Sequence, residues 1–125
     1  MTIEEALKKD VVWAVLGATP KENKFGFKLY KRLKSYGYEV YPVNPNAEQV
    51  DGDICYSTLT DIPKVVDIVN VVVPEQVGVA AMSECEKLGI STVWLQPGAD
   101  TDAVINAAKE RNINVIIDCV LVQLP

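Results

Sequence analysis

Positions 17–28 combine small residues and lysines in a pattern suited to binding phosphate. The stretch Val11 to Phe27, V-V-W-A-V-L-G-A-T-P-K-E-N-K-F-G-F, reads as a buried strand (Val11–Leu16), a small-residue turn (Gly17, Ala18, Thr19), a polar loop and a helix start. A parallel strand that feeds a helix through such a turn leaves backbone N–H groups at the end of the sheet. Those donors, together with the positive end of the helix, form a cradle for an anion. Six of the chain's twelve basic residues, Lys21, Lys24, Lys28, Lys31, Arg32 and Lys34, fall within residues 21–34 against one acid, Glu22. Lys21, Lys24 and Lys28 stand nearest the helix start and are the candidates for phosphate contact. Lys31, Arg32 and Lys34 read as a solvated helix face.

Groups able to move protons are scarce. The chain has no histidine, which removes the usual general base and the usual metal ligand. Its three cysteines, Cys55, Cys85 and Cys119, match no metal-ligand spacing. Cys85 falls on an apolar helical stripe and is expected in the core. Cys119 follows directly on the last strand, beside Asp118. With Glu75, these two are the only reactive groups expected at the ligand edge, too few to define a reaction.

The elements that must position the turn follow from periodicity. Residues 2–9 suggest a short amphipathic helix with Thr2 and Glu5 at capping-box spacing. Phe25, Leu29, Leu33 and Tyr36 predict the inner face of a helix ending at Gly37. Tyr38–Val43 predicts a second strand that runs into Pro42-Val43-Asn44-Pro45. Asp51-Gly52 marks a turn, Ile54–Tyr56 a short edge strand, and Asp61-Ile62-Pro63 a further turn or helical scrap. Ile68–Val73 reads as a strand buried on both faces. Pro74 opens a helix whose apolar stripe is Val77, Ala80, Ala81, Cys85 and Leu88, closed by Gly89. Ser91–Leu95 is the next strand, ending in Gln96-Pro97-Gly98. Asp100 is expected to cap a helix with Val104, Ile105 and Ala108 inward, and Ile113–Ile117 is the last strand, followed by a short apolar tail.

This alternation predicts a single α/β domain over residues 1–125, with a doubly wound, mostly parallel, Rossmann-like sheet and helices on both faces. Right-handed crossovers bring the strand ends after residues 16, 43, 73, 95 and 117 to one edge, where such sheets bind ligands. The end of the second strand also separates ligand classes. A nicotinamide dinucleotide site places Asp or Glu at the end of the second strand to hold ribose hydroxyls; here Asn44 stands there between two prolines. The glycine spacing departs as well, since Gly17 is followed by Ala18 and Thr19 and next by Gly26. An NAD(H)-binding sensor or oxidoreductase domain on the same fold is therefore the alternative reading rather than the leading one.

Composition sets the outer bounds. The chain is 49% hydrophobic and 23% charged, with a net charge of −5, which speaks against general nucleic-acid or acidic-membrane binding. No apolar run approaches the roughly 20 residues of a membrane span, and residues 1–10 lack a signal peptide's pattern. The expectation is a cytoplasmic protein with neither nucleic acid nor membrane as partner.

The ordered set V-L-G-A-T-P-K-E-N-K-F-G, Y-P-V-N-P, D-I-V-N-V-V-V-P-E-Q-V, V-W-L-Q-P-G-A and D-C-V-L-V resembles the stand-alone CoA-binding domain family across roughly residues 8–122. That family is similar in fold to the nucleotide-binding domain at the start of the succinyl-CoA synthetase alpha subunit. The resemblance implies coenzyme A, or an acyl-CoA, as ligand and no catalysis by the domain itself. It places the pyrophosphate on Gly17, Ala18 and Thr19 and on the helix near Lys24 and Gly26. Adenosine would lie against Val43, Asn44 and Pro45 and against Val73 and Pro74. Gln96, Pro97 and Gly98 would line the edge toward the pantetheine arm, and the Cys119 thiol would emerge on the same edge. Many family members carry a basic segment where this chain has Val73-Pro74-Glu75.

Overall fold

The computed structural model describes residues 1–125. In chain order the elements are α1 (Ile3–Ala6), β1 (Val12–Leu16), α2 (Phe25–Ser35), β2 (Glu39–Val43), β3 (Gln49–Val50), β4 (Asp53–Ile54), a 3₁₀ turn (Leu59–Asp61), β5 (Ile68–Val71), α3 (Glu75–Leu88), β6 (Thr92–Leu95), α4 (Asp102–Glu110), β7 (Asn114–Ile117) and α5 (Val120–Gln123). Five parallel strands form one sheet in the order β2-β1-β5-β6-β7, and β3 and β4 form a separate antiparallel hairpin. The chain leaves β1 toward β2 and then crosses to β5 on the other side. The strand order therefore reverses between β1 and β5, where a crevice opens at the sheet's C-terminal edge.

Each sheet face has its own core. Ala14, Leu16, Val69, Val71, Val93 and Leu95 pack beneath α3 and α4. Trp13, Val15, Ile68, Trp94 and Ile116 pack beneath α1, α2 and α5, with the rings of Trp13 and Trp94 centred 5.6 Å apart. The central strands β5 and β6 are buried along their whole length, which is why they read as almost continuous apolar runs, with Asn70 and Thr92 as their buried polar members. Pro42 explains why β2 lies at the margin. Its carbonyl accepts a bond from Tyr56 N (3.0 Å) on the side away from β1, so its ring nitrogen faces outward, where no ladder bond is needed.

Several side chains differ from the sequence expectation. Thr2 and Glu5 do form a capping box, but on a helix of four residues. On α2 the buried residues are Gly26, Leu29, Tyr30 and Leu33, while Phe25 is 50% exposed. On α3 they are Gly78, Ala81, Met82 and Cys85, leaving Val77 and Leu88 exposed. The inner face is turned by about one residue because α3 packs closely on α4: a Cβ on Gly78 would lie 3.0 Å from Val104 Cγ2. Asp100 does not cap α4. Its carboxylate accepts from Gly98 N at 2.9 Å, and Thr101 occupies the cap position without a side-chain bond. β5 ends at Val71 rather than Val73. Ile54–Tyr56 is not a strand of its own; Ile54 belongs to the hairpin, and Tyr56 makes a lone bridge to Val43.

The distal basic residues are not a free solvated face. Lys31 and Lys34 each stand 3.0 Å from Asp51, and Lys34 lies 2.7 Å from Asp53. Both carboxyls are held below their usual value, chiefly by hydrogen bonds from lysine: Lys31 then Lys34 for Asp51, and Lys34 then Tyr30 for Asp53. Arg32 Nη1 donates to the carbonyls of Leu121 (3.4 Å) and Leu124 (2.5 Å), tying the C-terminal turn along α2. These three residues hold structure together, whereas Lys21, Lys24 and Lys28 do not.

Candidate functional site

The turn after β1 is locked between the end of β5 and the start of α2. Gly17 has φ +105°, and a Cβ there would sit 2.4 Å from the Val72 carbonyl oxygen. A Cβ on Gly26 would sit 2.0 Å from the Gly17 carbonyl oxygen. Two glycines nine positions apart thus let the helix start press directly on the turn, with backbone touching backbone. The end of β2 completes the frame. Gly17 N donates to Val43 O (3.0 Å), and Asn44 Nδ2 donates to Ala18 O (2.8 Å). Asn44 Oδ1 accepts from Asn46 N at 2.8 Å. Each amide atom of Asn44 therefore meets a partner of opposite character, which fixes its orientation.

The frame leaves donors unused. The first bond within α2 runs from Lys28 N to Lys24 O (3.3 Å), so the amides of Phe25, Gly26 and Phe27 precede the ladder. Lys24 at the N-cap gives no side-chain bond, and the first turn contains no acid. The positive end of α2 is uncompensated by the protein. Around it, Lys21, Lys24 and Lys28 are exposed and engage their side chains in no hydrogen bond or ion pair. Three unpaired cations and three free amides thus gather around the start of α2, the combination that suits a phosphate.

Beside the turn, a cleft of ≈ 300 Å³ is lined by Leu16, Gly17, Val43–Asn46, Val72–Pro74 and Val77. A second hollow of ≈ 340 Å³ shares Val72–Pro74 with it and continues to Gln96–Ala99. Together they make one path along the sheet edge, with Val, Pro and Ala residues and Asn44, Asn46 and Gln96 among its lining residues. A larger groove of ≈ 550 Å³ runs along the β2 margin among Tyr30, Tyr38, Tyr41 and Tyr56. None of the free donors of residues 17–28 lines that groove, so its size does not make it the phosphate site.

At the far end, side chains serve the fold. Gln96 is 1% exposed; its Oε1 accepts from Val120 N (2.9 Å) and its Nε2 donates to Cys119 Sγ (3.4 Å). Gln96 thus caps α5, and only its backbone neighbourhood borders the path. Cys119 is half-buried. Asp118 is similarly engaged, accepting from Cys119 N (2.6 Å) and Gln123 Nε2 (3.0 Å). Burial pushes the Cys85 thiol up to about 12 and raises that of Cys55, which puts both out of use as nucleophiles near neutrality.

Residues 11–125 match the family described as the CoA binding domain. This chain belongs to that family. Among relatives of this CoA-binding domain, the ADP-forming acetate–CoA ligase II of Archaeoglobus fulgidus is 35% identical over 103 residues, covering 80% of this chain and 15% of the ligase. The chain spans 11–18% of the length of the ADP-forming acetate–CoA ligases first matched. YneT of Bacillus subtilis is 28% identical over 116 residues, covering 93% of this chain and 86% of YneT. A conserved hypothetical protein from Pyrococcus furiosus has a solved structure that is 32% identical, with TM-score 0.85, covering 90% of this chain and 98% of its own.

Within this CoA-binding domain, Gly17, Ala18, Val43, Asn44 and Pro45 meet Val73 and Pro74 around the reversal point, with Lys24 and Gly26 at the adjoining helix start. Thr19 lies in the loop between, its hydroxyl accepting from Lys21 N at 3.3 Å. Pro97 and Gly98 border the second hollow. Cys119 stands apart, at the end of β7, with β5 and β6 between its strand and β1. Leu16, Asn46, Val72 and Val77 also line the cleft but escape the sequence reading. Val77 was legible in part: it sits one turn past Pro74, and placing it in the core hid its role at the rim.

Proposed function

We propose that this domain binds coenzyme A or an acyl-CoA without chemistry of its own. The observation that carries this reading is the contrast within one basic segment. Lys31, Lys34 and Arg32 are bound to protein groups, whereas Lys21, Lys24 and Lys28 remain unpaired beside the free amides of α2. In this reading the pyrophosphate rests on Gly17–Thr19 and on the amides of Phe25–Phe27. Lys24 and its neighbours take the remaining negative charge, including the ribose 3′-phosphate that distinguishes CoA from NAD. The adenosine occupies the cleft between Val43–Pro45 and Val73–Pro74, and pantetheine follows the path toward Gln96–Gly98.

The non-catalytic part rests on the inventory at that edge. Asp118, Cys119 and Gln96 are spent on one another and on α5, and Glu75 alone does not make an acid–base pair. An NAD reading would ask for a carboxylate at the end of β2 to hold ribose hydroxyls, where this chain has Asn44, its amide oriented by Ala18 O and Asn46 N. Native mass spectrometry of the freshly purified protein, followed by calorimetric titration with CoA, acetyl-CoA and NAD, tests the proposal. CoA or its thioester is expected to bind at least about tenfold tighter than NAD, a difference of about 1.4 kcal/mol. Equal or tighter NAD binding overturns it, and turnover of acetyl-CoA overturns its non-catalytic part.

A further inference from the structure

The two margins of the sheet are built differently. At β2 the outward side is blunted: Pro42 has no N–H to offer, its carbonyl is taken by Tyr56 N, and Glu39 is paired with Lys64 at 3.2 Å. Pairing with foreign strands is discouraged by such devices. β7 has none of them. Its ladder to β6 is parallel, and Asn114 N donates to Ser91 O (2.8 Å), so Asn114 and Ile116 turn their backbone groups inward. Val115 and Ile117 turn theirs outward, with no strand beyond β7 to receive them. No proline, charge or bulge interrupts residues 114–117.

The surroundings of this margin are apolar. Of the eight large hydrophobic residues that remain exposed, three lie around β7. Ile117 is on the strand itself (49% exposed), and Val122 is on the turn that follows it (68%). Met1 (42%) is held at the strand's start by the bond from Asn114 Nδ2 to its carbonyl.

We propose that the free margin of β7 pairs antiparallel with the same margin of a second copy of this chain. A twofold axis at Ile116 sets Val115 opposite the second copy's Ile117 and Ile117 opposite its Val115. Both are outward residues, so each pair exchanges two hydrogen bonds and the junction closes with four. The pattern is self-complementary, as a twofold interface requires. Charge selects the same arrangement. Before β7, Arg111 is paired with Glu86 (3.8 Å) and Glu110 (4.0 Å) and Lys109 stands as the unpaired cation, while Asp118 carries −1 after the strand. Antiparallel pairing brings the basic end of each strand to the acidic end of the other, while a parallel contact would set like charges together. The result is one ten-stranded sheet across the two copies, with Ile117 of each covered by Val115 of the other. The proposed ligand path lies at the C-terminal ends of β2, β1, β5 and β6, one strand short of the paired margin, and stays open.

Two substitutions test the pairing without disturbing the internal ladder. Ile117→Pro removes an outward N–H that β6 does not use, repeating at this margin what Pro42 does at the other. Ile117→Lys places a charge on the same half-exposed position. Sedimentation equilibrium of the wild type is expected to show a dimer that dissociates on dilution below about 100 μM. Both variants are expected to remain monomeric at that concentration with unchanged far-ultraviolet circular dichroism. Hydrogen exchange supplies the specific readout: the Val115 and Ile117 amides are protected in the dimeric wild type, and the Val115 amide is released in Ile117→Lys. A wild type that stays monomeric overturns the proposal. So does a dimer that survives both substitutions, or one in which the two amides exchange freely.

Discussion

Gly26→Ala isolates the contact on which the proposed phosphate site depends. Gly26 lies in the first turn of α2 without a positive φ, so alanine fits its backbone and helix propensity favours the change by up to about 1 kcal/mol. The added Cβ, however, would sit 2.0 Å from the Gly17 carbonyl oxygen. Real Cβ contacts stay beyond 3.0 Å, so the helix start and the turn must part by about 1 Å. Overpacking of this kind costs about 1–3 kcal/mol. Set against the propensity gain, the net destabilisation is about 0–2 kcal/mol, a fall in Tm of no more than about 10 °C. The effect on binding is larger, because a hydrogen bond of about 2.9 Å stretched by 1 Å ceases to be one. A phosphate can then reach the turn or the helix amides but not both. Each charge-assisted bond lost is worth about 1.5–3 kcal/mol, about 10- to 150-fold in Kd. Calorimetric titration with CoA, beside thermal unfolding of the same samples, measures both quantities. A variant that binds CoA within about threefold of wild type while keeping its Tm refutes the reasoning: the close approach of Gly26 would then have no part in holding the ligand.

Other expectations follow from the same geometry. Lys24→Ala is expected to weaken CoA about tenfold, and dephospho-CoA less, if its ammonium meets the 3′-phosphate; titration with both ligands decides, and an equal loss assigns Lys24 to the pyrophosphate. The hairpin of β3 and β4 is expected to loosen in acid. Asp51 and Asp53 have depressed carboxyl pKa values, so their contribution is complete above about pH 4 and is lost as pH falls through the lowered values. Lys34, raised chiefly by its bond to Asp53, adds a contribution complete below its usual 10.5 and lost as pH rises through the raised value. Carboxyl titrations followed by NMR should show midpoints below 3.8 that rise in Lys34→Met; normal midpoints in the wild type refute the network. Finally, Cys119 is expected to react first when the folded protein meets iodoacetamide, since Cys55 and Cys85 are buried and their thiols pushed up. Peptide mapping of the alkylated protein checks this, and earlier labelling of Cys85 contradicts it.

How far the sequence discloses the site depends on the scale of the contact. The strand–turn–helix unit at Val11–Phe27 is legible because a continuous apolar run, a glycine and a basic helix start all point to one local geometry. The same holds for β5 and β6, where burial on both faces leaves apolar runs broken only by Asn70 and Thr92. Side-chain partners formed across the fold are not legible in this way. Nothing near Lys34 in sequence reveals that Asp51 and Asp53 will stand beside it, because that pairing exists only once the hairpin folds back along α2. Gln96 and Asn44 show the same limit. Their polarity at strand ends suggests ligand contact, yet each side chain is consumed in joining elements distant in the chain, Gln96 to α5 and Asn44 to the turn after β1. The rotated face of α3 has a related cause, since only the approach of Val104 makes Gly78 the residue to bury. Gly26 is the instructive exception. Its spacing from Gly17 is visible in the sequence, but its purpose emerges only from the 2.0 Å clash that any larger residue would create. A glycine without a positive φ, buried at a helix start, is therefore a sharper pointer to a backbone-built site than the polar residues around it.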